Sequence, residues 1–202
     1  MTRPSSIVLA GTLALLCAPA VDSQTPAPGA PVYTAAGELL PPAQYREWVY
    51  LSTGMNMSYI KRLSGAGHDM FSNVFVNPEA YREFLRTGSW PDKTVLVLEV
   101  RGATSRGSIN KHGFYQGTDI MGLEVHVKDA RFQGGWAFFA DNGGKPAKQI
   151  PYQADCYSCH RDHAAVDTTF VQFYPTLLPV AKAKGTLSAA YRAEASSADQ
   201  AK

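Results

Sequence analysis

Three side chains that can do chemistry together fall within five residues: Cys156, Cys159 and His160, in the run CYSCH. Two thiols three residues apart can both reach the vinyl groups of one porphyrin and form thioethers. The adjoining histidine then lies under the iron and can serve as an axial ligand. The spacing predicts one covalently attached haem c with His160 as the iron ligand. Such a cofactor brings the reactivity, and the polypeptide tunes it. The same residues allow other readings: a disulfide or redox pair from the two cysteines, or a zinc site from Cys156, Cys159, His160 and His163. A thioredoxin-like pair needs a strand-to-helix setting, whereas here a loop rich in Gly, Pro and Lys (Asn142–Gln149) comes first. Haem attachment is favoured because the paired thiols and the histidine occur together with an export signal.

That signal is at the start of the chain. Arg3 is followed by an apolar run, Ile7–Cys17, and then by Ala18-Pro19-Ala20. This is the pattern of a secretory signal peptide over residues 1–20, with cleavage expected after Ala20 or Ser23. It is too short for a stable membrane span. Leu16 is bulkier than the small residue that usually precedes a lipidated cysteine, so Cys17 is expected to leave with the signal. Two of the three cysteines then remain, too few for a disulfide scaffold. The expected location is periplasmic, in soluble form and without a membrane partner. A net charge of +2 does not argue for nucleic acid. Residues 24–36 read as a flexible leader, 37–184 as one haem-binding domain and 185–202 as a flexible tail.

The elements that must position the motif show two periodicities. Pro41-Pro42 is expected to start a short helix with Tyr45, Trp48, Val49 and Leu51 on one face. Ser64–Asp69 reads as a loop and Phe71–Val76 as a strand. Asn77-Pro78-Glu79 opens a helix with Tyr81, Phe84 and Leu85 as its buried stripe, and Gly88 ends it. Thr94–Val100 is a β-branched strand, Arg101–Gly113 a connection, and Gly135–Ala140 another strand. Asp119–Lys128 alternates, with Met121, Leu123, Val125 and Val127 on one face and Ile120, Gly122, Glu124 and His126 on the other. A final helix over Thr168–Lys184 should be bent or interrupted by Pro175 and Pro179. The expected fold class is α+β: a β-rich domain with an antiparallel sheet flanked by short helices, the haem-binding segment followed by a C-terminal helix.

These segments carry a family resemblance. GELLPPAQYREWV, VNPEAYREFLRTGSWPDKTV, GFYQGTDIMGLEVHVKD, GGWAFF and CYSCHRDHAAVDTTFVQFYPTLL, in this order over Gly37–Lys184, resemble the cytochrome P-460 and cytochrome c′-beta family of exported bacterial haem proteins. The resemblance implies a β-rich domain, usually a homodimer, whose haem lacks a strong protein ligand on its distal face. Hydroxylamine-oxidising members carry a lysine cross-linked to the porphyrin, four residues past the threonine that leads its strand. Counting from Thr94 reaches Leu98, which has no nucleophilic nitrogen. An arginine of the earlier strand is replaced by Ser72. Glu124 matches the family's acidic "GLE" position, a distal proton relay in the oxidising members. The pattern is therefore closer to cytochrome c′-beta, whose members bind small gases such as nitric oxide.

The functional expectation is a five-coordinate, gas-binding haem protein with nitric oxide as the leading ligand and a periplasmic redox partner as a further one. Leu98 and Phe71 are the candidate distal walls, and Glu124 is the candidate proton relay. The alternatives are a hydroxylamine-oxidising enzyme and a six-coordinate electron-transfer cytochrome. The latter needs a sixth ligand from Met55, Met57, Met70, Met121, His68, His112, His126 or His163. Lys111 is the nearest lysine between glycine-bearing stretches that could replace the missing cross-link.

Overall fold

The computed structural model describes residues 29–57, 69–105 and 107–200. The signal segment, its cleavage positions, Cys17, His68 and most of the expected Ser64–Asp69 loop lie outside them. Among the described residues, no helix is long and apolar enough to cross a membrane.

Five strands form one antiparallel sheet in chain order: β1 (Val49–Met55), β2 (Met70–Val76), β3 (Val95–Thr104), β4 (Tyr115–Lys128) and β5 (Trp136–Ala140). The β-branched run of β3 sits between β2 and β4, pairing Leu98 with Val74 on one side and with Glu124 on the other. β3 and β4 are both longer than their sequence patterns predict. They continue beyond Val100 and start before Asp119 through irregular pairing around Arg101.

Side chains alternate across an extended strand, so this register sorts the residues into two faces. Val95, Val97, Val125, Val127, Ala137 and Phe139 form one core, covered by Tyr33, Leu39, Tyr45, Trp48 and Phe132. The opposite face carries Leu96 into a second core with Val76, Phe84, Trp90, Trp136 and Leu177. The described part of segment 24–36, expected to be a flexible leader, contributes to the first covering layer. A tight turn pairs Tyr33 with Leu39, and Leu39 pairs onward with Ala147.

Helix α1 (Pro78–Thr87) starts on its proline and ends at Gly88, whose φ of 77° is open to glycine without penalty. Asn77 does not cap α1 with its side chain. Its Oδ1 instead accepts from the Val95 amide at 2.9 Å, and its Nδ2 donates to the Lys93 carbonyl, fixing the start of β3. Phe84 and Ala80 are buried, but Leu85 is exposed because the helix turns it away from the sheet. The helix expected after Pro41-Pro42 is one 3-10 turn, Tyr45–Glu47. Val49 already belongs to β1, where pairing with Val76 overrides a spacing that also fits a helix.

The cysteine pair lies on α2 (Asp155–His163). The segment after it is interrupted, with a 3-10 turn at Val171–Phe173, Pro175 in the break, and α3 (Leu178–Lys184) started by Pro179. In place of a flexible tail after 185, α4 (Ala189–Gln200) lies against α2. Ser188 anchors it: its Oγ donates to the Ala164 carbonyl at 2.7 Å and accepts the Tyr191 amide at 3.0 Å.

A charged side chain is fully buried in the sheet. Glu99, 1 % exposed, accepts hydrogen bonds from Tyr45 and Arg46, and from Arg101 Nε at 2.5 Å. Burial alone would push its carboxyl up, but the Arg101 and Tyr45 hydrogen bonds and the charge of Arg46 outweigh burial and hold it below the ordinary glutamate range. Tyr45, buried against that carboxylate, is pushed up to about 12. The folded value of Glu99 lies below the unfolded one. Its ionised form therefore stabilises the fold above the ordinary value of about 4.3 and loses that contribution as pH falls through the folded value. Urea unfolding of the wild type and Glu99→Gln between neutral pH and about pH 3 checks this. The variant should be the less stable at neutral pH, and the gap should narrow in acid. A gap that stays constant would contradict the assignment.

Candidate functional site

On α2 the positions i, i+3 and i+4 share a face, so Cys156, Cys159 and His160 point the same way. Asp155 occupies the first turn and His160, Arg161 and His163 the last, the charge order that a helix dipole favours. Both cysteines are half-buried and unbonded. Burial pushes both thiols above their ordinary range, opposite to the lowered values that activate a redox pair.

Tyr157 lies between them in sequence but points away, into the sheet. Its hydroxyl donates to the Ile150 carbonyl at 3.0 Å and accepts the Phe138 amide at 3.2 Å, which ties α2 to β5. Its ring meets Phe138 edge-on at 4.8 Å.

His160 is the best-defined group of the site. Its Nδ1 lies 2.7 Å from the Thr168 carbonyl oxygen. A carbonyl only accepts, so Nδ1 carries the proton and Nε2 keeps its lone pair. Burial lowers the imidazole's proton affinity and the Thr168 bond raises it, with burial prevailing, so the neutral ring is favoured. Phe170 at 4.3 Å, Phe138 at 4.6 Å and His126 at 5.2 Å surround the ring.

The imidazole lines a half-open cavity of about 260 Å³. One wall is the sheet face carrying Ser52, Gly54, Ser72, Val74, Leu96 and Leu98. The other consists of Thr169, Phe170, Phe173 and Tyr174. A neutral imidazole with a free Nε2 beside a mainly apolar, aromatic-walled cleft fits a flat haem, and the two thiols share the imidazole's helix face without themselves walling the cavity. The zinc alternative lacks its ligands. Among the described residues no three His, Cys, Asp or Glu side chains converge, and His163 instead faces Glu194 on α4 at 3.3 Å.

The expected site residues are placed unequally. Leu98 lines the cavity. Glu124 lines it too, but at the solvent-exposed rim. Phe71 does not reach it: strand parity puts Phe71 with Asn73 and Phe75 on the opposite face, while Ser72 and Val74 face the cavity. Of the sixth-ligand candidates, Met57 and His126 line the cavity. The Met57 thioether folds over Gly54, in space that a Cβ there would occupy. His163 is turned to Glu194, and Met55, Met70, Met121, His112 and Lys111 are not among the cavity walls. Thr168, Phe170, Phe173 and Tyr174 carry no individual expectation from sequence. The signal available was their place just after the motif, in DTTFVQFY, which read as the start of a helix.

The family model described as Cytochrome P460 matches residues 42–171, well over half of the chain. A comparison with curated proteins finds no match. The matched span includes the sheet, α2 and the Thr168–Phe170 wall. The Tyr157 link gives a direct test of how firmly α2 is held. Tyr157→Phe leaves the buried Phe138 amide and the Ile150 carbonyl without their shared partner, and should cost about 1–3 kcal/mol in urea unfolding. A change under about 0.5 kcal/mol would mean that the hydroxyl does not carry the attachment.

Proposed function

The chain belongs to the cytochrome P460 family, and on that footing we propose that it is an exported, mono-haem c-type protein that binds a small neutral gas, nitric oxide first among them, at a five-coordinate iron. Membership itself brings cytochrome character, with haem and iron binding. The observation that carries the finer reading is His160, a neutral imidazole whose one free nitrogen belongs to a ring lining a mainly apolar cavity. When bound, the haem supplies the iron on which a diatomic ligand is held.

The chain's own residues would do the rest. Cys156 and Cys159 would hold the porphyrin by thioethers. His160 would donate Nε2 while Thr168 fixes its tautomer. Leu98, Val74 and Leu96 would give the sheet wall an apolar patch that disfavours anions and admits small neutral molecules. Glu124, at the open rim, would serve as the proton relay of this reading. Leu98 supports gas binding over hydroxylamine oxidation, because position 98 offers no nitrogen to bond to a porphyrin.

One observation favours a second reading. Met57 is a cavity residue with a thioether, the type of group that makes a six-coordinate electron-transfer haem. Optical spectra of the purified holoprotein, ferric and ferrous, with and without nitric oxide, separate the two. The five-coordinate reading expects a high-spin ferrous spectrum that changes on adding the gas. A low-spin ferrous spectrum that turns high-spin in Met57→Leu would overturn it in favour of the second. Acid–acetone should leave the pigment on the wild-type chain and strip it from a Cys156→Ala/Cys159→Ala variant.

A further inference from the structure

We propose that His126 is a positioning residue for the iron ligand, acting through Thr168. This rests on the reading of His160 as that ligand. His126 is 8 % exposed on β4, its ring stacked on Phe138 at 3.9 Å and 11° and flanked by Trp136 at 4.3 Å. A ring so held has little freedom. Its Nε2 lies 3.4 Å from the Thr168 hydroxyl, and the carbonyl of the same Thr168 accepts the His160 Nδ1 proton at 2.7 Å. The next residue is pinned as well: the Thr169 hydroxyl donates to the Val166 carbonyl at 2.8 Å and accepts Trp90 Nε1 at 2.7 Å. Thr168 is therefore fixed from its side chain by the sheet and from its neighbour by the core.

The strength of the Nδ1–H to carbonyl bond depends on where that carbonyl points. A firm bond gives the imidazole more anionic character, strengthens its bond to iron and favours the ferric state. Loosening Thr168 weakens all three together. His126 would thus tune the iron from the sheet side without touching it.

The test uses ferrous holoprotein, with the iron–histidine stretching band read by resonance Raman and the reduction potential by titration. His126→Phe keeps a flat ring between Trp136 and Phe138 and removes Nε2. Thr168→Val keeps the carbonyl and removes the hydroxyl. Each should shift the band to lower frequency and raise the potential, and the double variant should shift no further than Thr168→Val alone. Thr168→Ser should restore wild-type values, which a merely space-filling role for Thr168 would not predict. Unchanged values in Thr168→Val, or additive shifts in the double variant, would overturn the proposal. A band and potential that survive His160→Gly would instead refute the ligand assignment, a separate result.

Discussion

Neighbouring residues of an extended chain leave it on opposite sides, and the whole site depends on that alternation. Leu98 and Glu99 are adjacent, yet one walls the cavity and the other lies in a buried ionic cluster with Arg46 and Arg101. The same division separates Ser72 from Asn73. A slip of one residue in β3 would drive Glu99 and Arg101 into the mainly apolar cleft and leave Arg46 without its carboxylate. Both errors are costly, because a buried charge without its partner is among the least tolerated features of a fold. The Glu99 cluster and the mainly apolar cavity wall therefore enforce each other's register.

The second organising contact is the seam between sheet and haem-segment helix. Phe138 of β5 meets three groups there: Tyr157 edge-on, His160 edge-on and His126 face-on. Tyr157 bonds the backbone of the same strand. The helix is thus tied to the sheet on its Tyr157 side, leaving the cysteine and histidine face for chemistry. Beyond its C-terminus, Gln172 accepts the Ala165 amide and donates to the His163 carbonyl, at 2.9 and 2.8 Å, and Ser188 anchors α4 to Ala164. The segment carrying Thr168 to Phe170 is folded back against the imidazole by these bonds.

Much of the fold was legible because period-two runs of β-branched and aromatic residues have few other uses. The Phe71–Val76, Thr94–Val100 and Gly135–Ala140 segments read as strands, and β2, β3 and β5 run through them. Asn77-Pro78 and Gly88 marked a helix whose ends are local chemistry. The errors have equally local causes. Tyr45, Trp48, Val49 and Leu51 fit a helical face, but Tyr45 and Trp48 cover one side of the sheet while Val49 and Leu51 belong to the other. Phe71 was attractive as an aromatic near the site, and parity alone rules it out. The run Thr168–Lys184 reads as a helix bent or interrupted at Pro175 and Pro179, and the chain does break there, with only a 3-10 turn before Pro175 and α3 after it.

What the sequence determined by itself was the set of reactive groups: CYSCH brings two thiols and an imidazole together within five residues. It also carried the sheet's alternation, while Leu98 and Glu124 were drawn to one site by the family resemblance, and their direct pairing across β3 and β4 agrees with that. Only the tertiary structure decided which nitrogen of His160 is protonated, since the Thr168 carbonyl reaches it by folding the chain back on itself. Only the tertiary structure brought His126, 42 residues upstream of Thr168, beside that carbonyl's own side chain. Contacts of this kind are set by register and packing between elements, and no local pattern of residues encodes them.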